Sequence, residues 1–479
     1  MAQPLKLAII GGGASAFYAA SRVLSKMPAA FKETQVHIYD RLWTPHGLVR
    51  YGVAPDHPEN CTNKFDATAL DPRFRFFGNV QIVPSDLPGQ QITSPTAAKL
   101  PQPLNLSLSS LARHYTHLLF AYGSSKPLLP TLAEDSPVQP TSALDFVHWY
   151  TSHPYPESKI PLEQLVKAKH ITIIGHGNVA LDVARMILSP STRLARYDVP
   201  QSVLEVLEKL KVEHVSVVGR RAPAQVSFTA KEVREMMNLE GVGMHSIDPG
   251  LFDLGTEGLS RQQARLIDLM RKGSSTSIAS ASKTWSLDFL RSPLRVTPDS
   301  ITYALNSLSP SLSAVPTGET QTMSTDLVIA SVGYRSPAIH PGWHDKRLGR
   351  VRHADGQVVR EDGTAVRGVY ASGWAANGAR GVLASTMWNA YSVAEKILGD
   401  AAAGVVSDPQ PQTGAVLDDE VMLKGEPGLP SPVVEAGKLV VSYTDWKRID
   451  TEELRRGGEL GKERERMSWG EVVEFLDIA

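Results

Sequence analysis

Twice in 479 residues the chain runs an apolar strand into a glycine turn, out along a small-residue helix and back into a strand. No other feature restricts its fold as much. In the first unit, Leu5–Ile10 reads as a strand, Gly11, Gly12 and Gly13 as the turn, Ala14 to Ser25 as the helix and Gln35–Tyr39 as the returning strand. In the second, these places are taken by His170–Ile174, Gly175–Gly177, Val179–Leu188 and His214–Val218. Two such units predict an α/β chain with two Rossmann-like dinucleotide-binding domains. A length of 479 residues suits two or three domains better than one core.

The turns differ in their chemistry. The first reads Gly11-Gly12-Gly13-Ala14-Ser15-Ala16, a GxGxxA pattern whose glycines let backbone N–H groups approach a pyrophosphate at a helix N-terminus. Ala16 still permits close packing of helix on strand. The second strand of this unit ends at Asp40, a carboxylate suited to accepting both ribose hydroxyls of an adenosine. The other turn reads Gly175-His176-Gly177-Asn178-Val179-Ala180, and its second strand ends in Gly219-Arg220-Arg221 with no acid at the tip. Paired guanidiniums there suit a ribose 2′-phosphate. The first unit is therefore expected to take FAD and the second NADP(H). The plain alternatives are a turn that binds nothing and arginines that are ordinary surface charges.

A third element supports a flavin. Gly368–Trp374 reads as a strand ending in glycine, and Gly381, Val382 and Leu383 lead into a helical run through Leu398. Backbone N–H groups near Gly381 are expected to face the ring edge, with the helix dipole favouring a negative reduced ring. Trp374 is expected near the nicotinamide, or else as a core tryptophan. One cysteine, Cys61, excludes an internal disulfide and a dithiol relay, and is expected to be a small buried apolar residue. A net charge of -1 points to neither nucleic acid nor membrane, so a charged docking surface must be local.

With these residues in hand, the chain resembles the adrenodoxin reductase type of ferredoxin–NADP reductase. The most specific match is GLVRYGVAPDHP, Gly47 to Pro58. Others are Phe77–Val80, Ala121–Gly123, GHGNVALDVARMIL from Gly175, GRRAPAQVSFTAKEVREM from Gly219, Ser331–Ser336 and Tyr443–Trp446. The resemblance covers essentially the whole chain. It implies a glutathione-reductase-like architecture without the dimerisation domain. Residues 126–334 would form an NADP domain inserted into an FAD domain made of 1–125 and 335–479. It also implies that NADPH gives a hydride to the flavin, which passes single electrons to an acidic [2Fe–2S] ferredoxin serving cytochromes P450 or iron–sulfur and haem biosynthesis. A monomer is expected, at the mitochondrial matrix or its membrane face. No transit peptide is visible ahead of Leu5, so a cytosolic enzyme is the other reading.

Carried over by position, His57 and Glu235 would face each other beside flavin and nicotinamide, with Glu232 near the NADP ribose or amide. Gly47, Leu48 and Val83 would join the flavin contacts. The resemblance also departs from the family in two places. The family's first loop usually carries Pro-Ala-Gly where this chain has Ala14-Ser15-Ala16, and its charged segment after the late tryptophan is replaced by Ala375–Arg380. Ser260–Lys272 reads as a helix ending at Gly273, with Arg261, Arg265, Arg271 and Lys272 as candidates for docking the ferredoxin. The alternative there is a solvated face. Rival functions are a diaphorase or electron-input flavoprotein with another acceptor, and a non-catalytic nucleotide-binding descendant. Pro84–Pro103 and Ser309–Ser324 read as surface loops, Gly273–Ser282 as a linker, Ala401–Gly437 as an extended wrap and Thr451–Met467 as a solvated helical face.

Overall fold

A computed structural model of the chain describes residues 4–27, 33–57, 61–85, 101–154, 160–404 and 421–478. The strand Lys6–Ile10 pairs in parallel with Gln35–Tyr39 on one side and His117–Phe120 on the other. A seven-stranded sheet grows from these three. Phe74–Phe77 forms one edge, and Ala365–Ala371, Gln357–Val359 and His353–Ala354 extend the other. The central strands are apolar without alternation because both faces are covered. Leu7 and Ile9 pack under the helices Ala14–Lys26 and Leu383–Ala402, while Ala8 and Ile10 meet Leu108, Leu111 and Val369 on the opposite face.

A second sheet has six strands in the order Val242–Met244, Lys283–Asp288, His214–Val218, His170–Ile174, Leu327–Ala330 and Thr141–Ser142, every pair parallel. The helices Asn178–Leu188 and Ala230–Met237 pack on one face. A three-stranded antiparallel sheet, Arg291–Val296, Ser300–Leu308 and Ala314–Ser324, packs on part of the other through Ile301 and Tyr303. All of this lies in the chain between two strands of the first sheet. Where the chain crosses, Lys126–Pro127 pairs antiparallel with Tyr334–Arg335. Among the described residues no helix is long and apolar enough to cross a membrane.

Several expectations need correcting. Ala314–Ser324 is an edge strand and not a loop. It stands exposed on both faces, so it carries no apolar alternation to read; backbone pairing with Ser300–Leu308 and a 2.9 Å Thr302–Thr322 hydroxyl bond hold it. The run Thr451–Met467 is only partly a solvated helix. Glu453 is fully buried, where it accepts from Arg50 Nη2 at 2.7 Å, Arg464 Nη1 at 2.9 Å and Met467 N–H at 2.9 Å. Arg466 is buried too and pairs with Asp198, which ties the C-terminal segment to the part of the chain carrying the second sheet. Cys61 is half-buried rather than buried. The late helix runs past Leu398 to Ala402, and a short helix, Ser431–Glu435, interrupts the expected wrap. Residues 86–100 and 405–420 of two expected loops lie outside the described residues.

Candidate active site

At the first turn, Gly11 has φ 102°, and a Cβ there would sit 2.4 Å from Tyr122 Cα. Only glycine tolerates that place. Gly13, by contrast, has no described residue within 4 Å of an added Cβ. The Gly12 carbonyl accepts from the His46 N–H at 2.7 Å, which lays the Gly47–Leu48 segment against the turn. Asp40 stands beside them, but its carboxylate is turned to the backbone: it accepts from the Gly12 N–H and, at 2.8 Å, from the Leu42 N–H. Burial raises its pKa to about 6 in spite of those bonds.

The second turn repeats the geometry. Gly175 has φ 131°, a Cβ there would lie 2.1 Å from the Ser331 carbonyl oxygen, and Gly177 again faces open space. Asn178 Oδ1 accepts from the Thr229 N–H at 2.9 Å, which holds the start of the Ala230–Met237 helix near the turn. Arg220 is exposed and Arg221 half-buried at the end of the His214–Val218 strand. Burial, and then Arg220, lower the Arg221 pKa.

Both turns open into one cleft of about 1900 Å³. Of the residues singled out for cofactors, Gly11, Gly13, Ala14, Ser15, Asp40, Gly47, Leu48 and Val83 line its first half, and Gly175, Gly177, Asn178, Val179, Arg220, Arg221 and Glu232 line its second. Trp374, Gly381, Val382 and Leu383 also line it, as does His57. Ala16 does not; it is fully buried in the first turn of the first helix, where its smallness serves packing. Trp374 stacks on Tyr334 at 6.4 Å and 15°. The altered first loop is bonded into the late segment, since Ser15 Oγ lies 2.8 Å from Ser372 Oγ, which donates to Asn389 Oδ1 at 3.0 Å. That same Asn389 oxygen accepts from the Gly373 N–H at 2.8 Å.

His57 and Glu235 do meet. Their ion pair joins His57 Nε2 to Glu235 Oε2, with side chains 12% and 28% exposed, across the seam between the parts carrying the two sheets. Three neighbours were not anticipated. Arg185, on the second turn's helix, pairs with Asp56, donates to Asp182 Oδ1 at 2.9 Å and places Nε 3.7 Å from Glu235 Oε2. Burial opposes the Arg185 charge, but Asp56 and Asp182 outweigh it and raise its pKa. Burial likewise raises the pKa of Asp182. The one available signal was spacing, because Arg185 falls seven residues, two turns, after Asn178. The helix Arg261–Lys272 stands apart from the cleft, with Leu266, Ile267 and Met270 buried and Arg261, Arg265, Arg271 and Lys272 exposed. Arg271 lies 3.6 Å from Asp253.

These residues fit two dinucleotides. Each glycine turn leaves open space at a helix N-terminus for a pyrophosphate; the second has the paired guanidiniums of Arg220 and Arg221 at its strand tip for an extra phosphate, where the first has Asp40 followed by Arg41. Such a pair of cradles on two parallel sheets, opening into one cleft, defines a two-domain dinucleotide-binding oxidoreductase. The chain is 33% identical over 482 residues to the mitochondrial NADPH:adrenodoxin oxidoreductase of Drosophila melanogaster, covering 99% of this chain and 93% of that one. Identity to the Homo sapiens protein of the same name is 34% over 488 residues, covering 96% and 90%. The NADPH-ferredoxin reductase FprA of Mycobacterium tuberculosis is 31% identical over 495 residues, 99% of both chains. The solved structure of M. tuberculosis FprA in complex with NADPH superposes with a TM-score of 0.80 at 30% identity, covering 99% of each chain. No protein-family model matches. The chain belongs to the NADPH:adrenodoxin oxidoreductase family.

Proposed function

We propose that this enzyme takes a hydride from NADPH, holds FAD in its first cradle and passes single electrons to an acidic [2Fe–2S] ferredoxin. The observation that carries the reading is one cleft in which a carboxylate-tipped cradle and an arginine-tipped cradle face each other. A flavin bound there supplies the conversion of a two-electron donor into one-electron steps. On this reading residues 1–125 and 335–479 bind FAD and residues 126–334 bind NADP(H).

The chain's own residues bind and orient. Backbone N–H groups at Gly13, Ala14 and Ser15 would meet one pyrophosphate, with Gly11, whose own N–H is held by the Tyr39 carbonyl, shaping the turn, Asp40 beside the ribose and Gly47, Leu48 and Val83 along the ring. Gly381, Val382 and Leu383 would present the positive end of the Leu383–Ala402 helix to a bound flavin. Gly175, Gly177, Asn178 and Val179 meet the other pyrophosphate, Arg220 and Arg221 the 2′-phosphate, and Glu232 and Trp374 the nicotinamide end. His57 and Glu235 hold a proton between Nε2 and Oε2 beside the reacting rings. Arg261, Arg265, Arg271 and Lys272 steer the acidic partner. Several relatives are named as mitochondrial, which supports a matrix location and a role in P450 or iron–sulfur and haem electron supply.

The test is NADPH-driven cytochrome c reduction with and without a [2Fe–2S] ferredoxin, with NADH in parallel. The reading requires a bound flavin that NADPH bleaches, and a rate that depends on ferredoxin. A colourless protein after reconstitution with FAD, or a rate indifferent to ferredoxin, overturns it.

A further inference from the structure

We infer that Arg185 is the positioning residue for the His57–Glu235 pair, one buried guanidinium that sets both partners from opposite sides of the seam. The inference rests on the role proposed for that pair. Three segments converge on Arg185. From the part carrying the first sheet comes the turn that ends at Asp56 and His57, closed by the His57 N–H donating to the Ala54 carbonyl at 2.9 Å. From the part carrying the second sheet come the helix Asn178–Leu188, which bears Asp182 and Arg185 itself, and the helix Ala230–Met237, which bears Glu235. Arg185 Nη1 pairs with Asp56, the residue directly before His57, and the two side chains are 1% and 2% exposed. Asp182, one turn earlier on the same helix, holds Nη2 at 2.9 Å and so orients the fork.

The remaining nitrogen makes the case. Among the described residues Arg185 Nε is buried without a hydrogen-bond partner, and it stands beside Glu235 Oε2, the oxygen that pairs with His57. The two face each other at 3.7 Å. A buried donor left unmet is costly, and a small movement of one helix against the seam brings Nε onto the Glu235 carboxylate. Arg185 therefore ties the closing of the seam and the setting of the pair to one group. Drawing the two parts of the chain together keeps Asp56 on the guanidinium, and the same guanidinium presents Glu235 to His57. The other charges facing the pair are Arg193, whose Nη2 lies 3.8 Å from Asp56, and Glu232, which acts on Asp182 through space. Lysine cannot replace this arrangement, because one ammonium lacks the planar fork that reaches three carboxylates at fixed angles.

The test compares Arg185→Gln, Arg185→Lys, Asp56→Asn, Glu235→Gln and the double variant Arg185→Gln with Glu235→Gln in the flavin-loaded protein. NADPH oxidation with ferricyanide is followed across pH, together with thermal melting and the nitrogen chemical shifts of the His57 ring. In Arg185→Gln the kcat falls roughly tenfold or more while KM for NADPH stays within about twofold, as expected when a proton-handling pair is misplaced but substrate binding is spared. Removing a cation beside an imidazole–carboxylate pair favours the protonated form, so the acid limb of the pH–rate profile moves up by about one pH unit. Arg185→Lys recovers the limb but only part of kcat. The double variant is no slower than Glu235→Gln alone, because residues acting as one unit are not additive. A kcat loss that adds in full to Glu235→Gln, with the pH profile unmoved, would mean a merely structural arginine and overturns the inference. Should Arg185→Gln fail to fold, Asp56→Asn moves the His57 ring signals and kcat in the same sense; unchanged signals and kcat there overturn it equally. If Glu235→Gln leaves kcat intact, the catalytic reading of the pair fails. Arg185 is then judged by the His57 ring shifts alone.

Discussion

Ser15 and Ser372, 357 residues apart in the chain, share a hydroxyl–hydroxyl bond of 2.8 Å that joins the first glycine loop to the end of the strand Ala365–Ala371. Through Ser372 and Asn389 the bond continues to the start of the Trp374–Asn377 turn. Ser15→Ala removes the donor and leaves Ser372 its Asn389 acceptor, so the cost is that of one buried hydrogen bond, about 1 kcal/mol. The expected result is a melting midpoint lower by a few degrees and easier loss of flavin on dialysis. An unchanged midpoint and unchanged retention would mean that the two loops are held by packing alone.

The two glycines of the second turn separate backbone need from ligand need. Gly175→Ala puts a Cβ against the Ser331 carbonyl at a φ of 131°, so it destabilises the fold by roughly 2–4 kcal/mol, read in denaturant melts. Gly177→Ala meets nothing within 4 Å among the described residues. It should melt like wild type and lose NADPH affinity, read by titration.

Replacing both Arg220 and Arg221 by Ala is expected to raise KM for NADPH by about tenfold to a hundredfold, the worth of one or two charge-assisted bonds to phosphate. The KM for NADH should barely move, because that ligand has no 2′-phosphate to lose. Steady-state kinetics with the two donors checks this directly.

Charge reversal at Arg261 and Arg265 is expected to raise the KM for ferredoxin several-fold at low salt and to spare ferricyanide reduction. The effect should shrink as salt rises, since it acts by long-range steering. Ferredoxin kinetics equal to wild type at low salt would rule out docking on this helix.

Acid should unfold this protein early. Burial lowers the pKa of His37, His46 and His148 to about 3, and of His117 and His176 to about 4. Below the unfolded value of 6.5 the unfolded chain binds protons that the folded one refuses. Stability is therefore full above that pH and falls as pH drops, by about 1.4 kcal/mol per unit for each histidine until its folded value is reached. His46, enclosed by Phe17, Phe65 and Trp446, is the cleanest probe. His46→Gln should flatten the slope of melting midpoint against pH below 6.5; the same slope in the variant would assign the acid lability to other groups.

Most of the two cradles was legible in the sequence because it is local. A strand, a glycine turn and a helix follow within some 20 residues, and apolar period and glycine placement mark each step. The edge strand Ala314–Ser324 was not, since a strand exposed on both faces leaves no hydrophobic pattern. Glu453 and Arg466 escaped for the opposite reason: a run of mixed charges looks solvated, and only partners from distant segments, Arg50 and Asp198, show that it is buried.

What the amino-acid sequence determined by itself was the pair of nucleotide cradles and their electrical difference, because φ-positive glycines and the residue at a strand tip act over a few neighbours. The tertiary structure alone decided how the cradles meet. The seam at which Asp56, His57, Arg185 and Glu235 converge draws on three segments up to 179 residues apart. Their charges can be buried together only after the two sheets have packed and excluded water, and nothing in local sequence encodes that step.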